Sequence, residues 1–189
     1  MPSVPTPHPS SGPVATLRPA VDADAEAIAA IYNDAVVTTT ATFDTEARSL
    51  AAQREWLAEH HAPYVVLVAV AAARVVGWAS LSPWSDRRAY AETAEVSEYV
   101  GQGHRGAGVG TALLDGLIVH ARSVPFHMLL ARIADSNPAS HRLHASRGFR
   151  VVGVMHEVGL KFGRRIDVAL LELRLSAIGP APMAERRQS

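Results

Sequence analysis

Apolar positions along this chain switch repeatedly between helical and strand spacing. Residues 15–20, ATLRPA, read as a short first strand. Ile28, Ile31 and Ala35 then recur at helical spacing, with Asp22 or Asp24 placed to cap a helix running to about Val36. Ser49 can cap a second helix over 50–61, with Leu50, Trp56 and Leu57 as its apolar side. Two nearly continuous apolar runs follow, 64–71 and 74–82, with Ala72 and Ala73 at the turn between them. Such runs predict strands of a sheet covered on both faces. In TAEVSEYV, 93–100, alternate residues divide between two faces. Thr93, Glu95, Ser97 and Tyr99 share one, and Ala94, Val96, Glu98 and Val100 share the other, so this strand carries a carboxylate on each. A glycine-rich turn and a helix to about Arg122 come next, then a strand at 128–133. A helix from Asn137 to about Arg147 is closed by Gly148, and strands at 151–155 and 166–175 end the series. This order predicts an α/β fold, a mixed sheet with helices on both faces.

Composition narrows the field. A chain of 189 residues suits one domain, expected over 15–176. Five prolines within the first thirteen residues predict a disordered leader over 1–14, and 177–189 reads as a flexible tail. The formal net charge is zero, so no basic field points to nucleic acid. No apolar run approaches the ~20 residues of a bilayer span, and no signal-peptide pattern opens the chain; no membrane partner and a cytoplasmic location are expected. The absence of cysteine removes disulfides, thiolate nucleophiles and cysteine-ligated zinc. The nine histidines form no HExxH-type pair, so no metal is expected.

Residues 95–114, EVSEYVGQGHRGAGVGTALL, run from strand through glycines into helix, a setting in which backbone N–H groups meet phosphate. A Walker loop needs Lys and Ser or Thr after its last glycine, whereas Val109 and Gly110 follow Gly108. Gly101, Gly103 and Gly106 do spell a dinucleotide fingerprint, but the acidic residue required ~20 positions on is missing, Asp135 lying too far along. The overlapping reading, Arg105-x-x-Gly108-x-Gly110, sets an arginine and several N–H groups of the segment 105–110 (Arg105, Gly106, Ala107, Gly108, Val109, Gly110) around a pyrophosphate. A structural turn without ligand is the bland alternative.

That last pattern matches the R/Q-x-x-G-x-G/A signature of GNAT acetyltransferases, which this chain also resembles in element order. IYNDAVVTTTATFDTE, LSPWSDRRAYAETAEVSEYV, NPASHRLHASRGF and VGLKFGRRIDVALLELRL resemble, more narrowly, the phosphinothricin and methionine-sulfone (L-amino acid) N-acetyltransferases, from about residue 16 to 175. The resemblance implies a GNAT fold with a mixed, mostly antiparallel sheet, acetyl-CoA as cosubstrate, a small-molecule amine as substrate and a homodimer. It implies that Glu95 is the general base for the substrate ammonium, the competing reading being a paired structural carboxylate. Main chain at Glu98, Tyr99 and Val100 would contact the pantetheine and acetyl oxygen. Asn137, Ser140 and His144 form one helical stripe. Asn137 can cap its helix or contact the cosubstrate, and Ser140 joins it there. His144 can protonate the leaving thiolate, assist Glu95, or simply pack; His141 is expected in solvent. Arg87, Arg88 and Tyr90 are candidates for the substrate carboxylate and its surroundings, or a charged hairpin in water. Phe43 would wall the pocket. Two positions depart from the family pattern: Ser85 after Trp84, where a basic residue is common, and Arg165, where tryptophan is. Glu98 also stands where the family has an apolar residue. A non-catalytic acyl-CoA sensor and an acetyltransferase for peptides or other amines are the competing functions.

Overall fold

The computed structural model describes residues 15–134 and 137–175; the expected leader, the whole of the expected tail and Asp135 lie outside the described residues. Strands β1 (Thr16–Pro19), β2 (Val66–Ala71), β3 (Arg74–Pro83), β4 (Thr93–Val100), β5 (Met128–Ala134), β6 (Arg150–Lys161) and β7 (Arg164–Arg174) form one sheet in the order β1-β2-β3-β4-β5-β7-β6. All neighbours are antiparallel except β4 and β5. The helices are α1 (Ala25–Thr38), α2 (Leu50–Glu59), α3 (Val109–Ser123) and α4 (Pro138–Ser146).

Alternation within β2 builds both cores. Val66 and Val68 meet Ile28, Tyr32 and Val36 of α1, with Trp56 and Leu57 of α2 alongside. Leu67 and Ala69 face the other way, into Leu113, Leu114 and Leu117 of α3. Each of these fully buried α3 leucines contributes roughly 1.5–3 kcal/mol of transfer free energy. The two apolar runs therefore bury both faces, as their composition predicts.

The parallel pair positions the site. β4 and β5 are in register only over Thr93–Met128, Ala94–Leu129 and Glu95–Leu130. β4 continues to Val100 and β5 to Ala134, so beyond Glu95 the strands part and the β4 edge facing β5 has no strand partner.

Several local expectations need correction. Asp24 stands at the N-cap position of α1 but makes no side-chain capping bond to it: Asp22–Asp24 is a 3-10 turn, and the Asp24 carboxylate accepts from Val21 N–H at 2.8 Å and from Arg18 at 2.7 and 2.8 Å. Ser49 does cap α2, accepting from Ala52 N–H at 3.2 Å. Leu50, however, is exposed, and Gln53 takes the fully buried position beside Trp56 and Leu57. β6 extends past Met155 to Lys161 because a bulge between Met155 and Gly159 lets it resume pairing with β7. His141 is half-buried rather than in solvent.

Candidate active site

The gap between β4 and β5 opens into a cavity of about 550 Å³. Its walls come from β4 (95–99), β5 (131–134), α4, the loop after α1 (40–44) and the bulged part of β6. Glu98, Tyr99, Asn137, Ser140 and His144 line it with Glu95 and Phe43, so the structure brings together residues from three separated motifs.

Glu95 is held by an arginine. Arg132 of β5 donates to it through Nε at 2.6 Å and Nη2 at 2.7 Å, a bidentate pair. The parallel register explains the contact: Glu95 sits opposite Leu130, and Arg132, two residues on, points to the same face. The guanidinium also lies 5.5 Å from the Trp84 ring centroid. Arg132 was absent from the sequence-level candidates. Its signal was a single charge inside the otherwise apolar run MLLARI.

Glu98 faces the opposite side of β4, toward α4. Its Oε1 lies 4.0 Å from His144 Nδ1, and Oε2 is buried without a hydrogen-bond partner among the described residues. Burial pushes this carboxyl up to about 8. His144 is also buried; burial lowers its pKa against a smaller opposing effect of the Ser140 carbonyl. Both effects keep the two groups neutral at pH 7, so a distance of 4.0 Å is a contact between an acid and an imidazole rather than an ion pair. Nδ1 stands 3.0 Å from the Ser140 carbonyl, which can only accept, so the proton of the neutral ring belongs on Nδ1. Nε2 then carries the lone pair, buried and without a partner among the described residues. A neutral His144 in this tautomer has no proton on Nε2 to donate.

The same helix start serves two purposes at Asn137, whose Oδ1 accepts from Ser140 N–H at 3.2 Å while the residue lines the cavity. At the glycine turn, Gly106 and Gly108 have positive φ (76° and 81°), conformations that need no Cβ. Gly110 lets α4 approach closely, since a Cβ there would stand 3.3 Å from the Leu143 side chain, which would have to shift by a few tenths of an ångström. The start of α3 has no side-chain cap, unlike those of α2 and α4, which leaves its N–H groups directed outward for an anion. Arg105 braces the turn, donating through Nε to the Val100 carbonyl at 3.0 Å, and its guanidinium stays half-exposed. Val109 is buried in the α3 core, so only its main chain can face a ligand. These features suit a pyrophosphate at 105–110 and a pantetheine arm along the free edge of β4.

The remaining candidates are distributed unevenly. Phe43 packs its ring directly on Gly159 at the cavity wall. The loop carrying it is pinned by Lys161, whose buried ammonium donates to the Thr42 carbonyl at 2.6 Å, and by Tyr32, which donates to Asp44 at 2.6 Å. Arg87, Arg88 and Tyr90 lie exposed in a turn ahead of β4 and are not among the cavity-lining residues.

Residues 15–150 match the model of the acetyltransferase (GNAT) domain. The chain belongs to the GNAT acetyltransferases. As a GNAT protein it is an acetyl-CoA-dependent N-acyltransferase, and acetyl-CoA is its cosubstrate. It is 41% identical over 170 residues to an L-methionine sulfoximine/L-methionine sulfone acetyltransferase of Pseudomonas paraeruginosa, covering 89% of this chain and 99% of that one. It is also 41% identical over 160 residues to a phosphinothricin N-acetyltransferase of Streptomyces coelicolor, covering 82% and 94%. A phosphinothricin acetyltransferase from Sinorhizobium meliloti, solved with acetyl-CoA, superposes with a TM-score of 0.84 at 32% identity, covering 91% of this GNAT chain and 95% of its own. Among the described residues no helix is long and apolar enough to cross a membrane.

Proposed function

We propose that this GNAT enzyme acetylates the α-amine of a small amino acid or analogue of the phosphinothricin, methionine sulfone or methionine sulfoximine type. The observation that carries the reading is the Glu95–Arg132 pair on the cavity wall: a carboxylate and a guanidinium side by side match the ammonium and carboxylate of one zwitterionic head group. A substrate entering between them exchanges one ion pair for two. Glu95 then takes the ammonium proton, directly or through water, and the freed amine attacks the thioester carbonyl. Main-chain N–H groups on the free β4 edge at 98–100 receive the developing oxyanion. The 105–110 turn and Asn137 hold the cosubstrate, and Phe43 closes the side-chain end of the pocket. Arg132 takes over the carboxylate-binding part first expected of Arg87 or Arg88.

The test is thiol release from acetyl-CoA with methionine sulfone, methionine sulfoximine, phosphinothricin, plain amino acids, a polyamine and a peptide. Saturable release is expected with a carboxylate-bearing amine. Glu95→Gln should lower kcat by ~10²-fold or more with acetyl-CoA affinity kept, and Arg132→Ala should raise KM for the amine. Release confined to the polyamine or peptide sinks the assignment.

A homodimer is part of the proposal. β6 is the sheet edge, and Val151, Val152, Val154, Val158, Leu160 and Phe162 are all exposed along and just beyond it. So long an apolar edge calls for cover, and a second copy laid on β6 would also border the cavity through Met155 and Val158. Sedimentation of the protein as a dimer, and of Leu160→Glu as a monomer, is expected; a monomeric wild type rejects it. The enzyme is placed in the cytoplasm with its acetyl-CoA, and recovery outside the cytosolic fraction would contradict this.

A further inference from the structure

The Glu98 side chain lines the cavity and has no part in the scheme above. Glu98 occupies an inward-facing position of β4, opposite Ala79 of β3 and among the apolar side chains that pack beneath α3 and α4. Its side chain is 11% exposed, and among the described residues it has no ion-pair partner, only the neutral imidazole 4.0 Å away, and no hydrogen-bond partner at Oε2. A carboxyl group left in this way has a reason to exist only if something else is brought to it. It lines the cavity on the part of β4 whose edge is free of β5, beside the helix that carries His144.

We propose that Glu98 is a further catalytic residue of this acetyl transfer, its carboxyl group donating the proton that the coenzyme A sulfur takes up as the thioester is cleaved. The step rests on the function proposed above and balances simply. As the C–N bond forms and the tetrahedral adduct collapses, the C–S bond breaks and its electron pair goes to sulfur. The Glu98 O–H bond breaks and an S–H bond forms. The nitrogen gives up two protons in all, one to Glu95 before it attacks and one to solvent as the adduct collapses to the amide; Glu95 then releases its proton, and Glu98 regains one, through solvent as products leave.

The surroundings suit an acid at this position. Of the other titratable or charged groups lining the cavity, Glu95 and Arg132 pair with each other on the opposite face of the sheet, and Tyr32 donates to Asp44. Tyr99 is half-buried and stacks on Trp78. From α4 only His144 faces Glu98, with His141 next to it acting on His144. α3 brings Val109 and Leu113 to this side of the sheet, its Asp115 being bonded to Arg147. None of these supplies a cation to ionise Glu98, and its proton is retained to about pH 8. His144 cannot replace it as donor while its single proton is committed to the Ser140 carbonyl. His144 instead holds the polar wall against which the acid rests.

The test uses the full chain and Glu98→Gln. Difference infrared spectroscopy should show a protonated-carboxyl stretch in the wild type at neutral pH, absent from Glu98→Gln and vanishing with a midpoint near 8. With methionine sulfone as substrate, wild-type kcat should fall as pH rises through that midpoint, because the donor must be protonated. Glu98→Gln should lose that alkaline limb and ~10²-fold in kcat, with acetyl-CoA affinity and near-ultraviolet circular dichroism retained. Glu98→Asp, which keeps a carboxyl, should recover part of the rate. Absence of the carboxyl band in wild type, or full kcat in Glu98→Gln, overturns the role of Glu98 and leaves the proposed function standing. A wild type that releases no thiol with any amine overturns the proposed function and this step together.

Discussion

Replacing Glu98 by glutamine should stabilise the fold, and only in neutral to alkaline solution. Glutamine keeps the volume and polarity of the side chain while removing its ability to ionise. The carboxyl titrates at about 8 in the folded chain against an ordinary 4.5. Its folded value lies above the unfolded one, so between these limits the folded state binds more protons. Wild-type stability therefore declines as pH rises from the ordinary carboxylate range to about 8 and stays reduced above it. At ~1.4 kcal/mol per pH unit, that interval sets a ceiling of about 5 kcal/mol. With the side chain 11% exposed, solvent screening removes little of this. Relaxation and water penetration around the anion bring the expected difference to ~2–3 kcal/mol, a large share of a domain's ~5–15 kcal/mol. Urea unfolding of both proteins under acidic conditions and above the Glu98 midpoint measures it, provided the m-value is unchanged. Near equality in acid and a clear advantage for Glu98→Gln in alkali are expected. An identical difference at both extremes refutes the reasoning, because Glu98 would then be equally solvated in the folded and unfolded states.

Two further outcomes follow from the site. Arg105→Ala should weaken acetyl-CoA binding by ~10-fold, about 1.4 kcal/mol, and reduce the salt dependence of Kd measured by calorimetry; unchanged affinity would remove Arg105 from the phosphate site. Gly159→Ala must displace the Phe43 ring, against which its Cβ would collide, so KM for the amine should rise several-fold with kcat and acetyl-CoA affinity nearly unchanged; an unaltered KM would remove Phe43 from the pocket wall.

What could be read from the sequence alone was local. The 3.6-residue and two-residue periods fix element order, the two faces of β4 and the stripe Asn137–Ser140–His144, because each depends only on neighbours within a turn or a strand. The glycines of 101–110 marked a candidate anion turn for the same reason. The partners of those residues were not legible. Glu95 meets Arg132 across 37 positions only because β4 and β5 pair in parallel with Leu130 opposite Glu95. Glu98 stood out as a carboxylate on the face it shares with Ala94, Val96 and Val100, but its burial against α4 depends on which helix covers that face. The strand at 151–155 is almost wholly apolar, yet it lies exposed because β6 is the last strand of the sheet. Periodicity belongs to the chain, whereas register, layer and edge exist only once distant segments are packed together, and it is these that decide which carboxylate is paired and which keeps its proton.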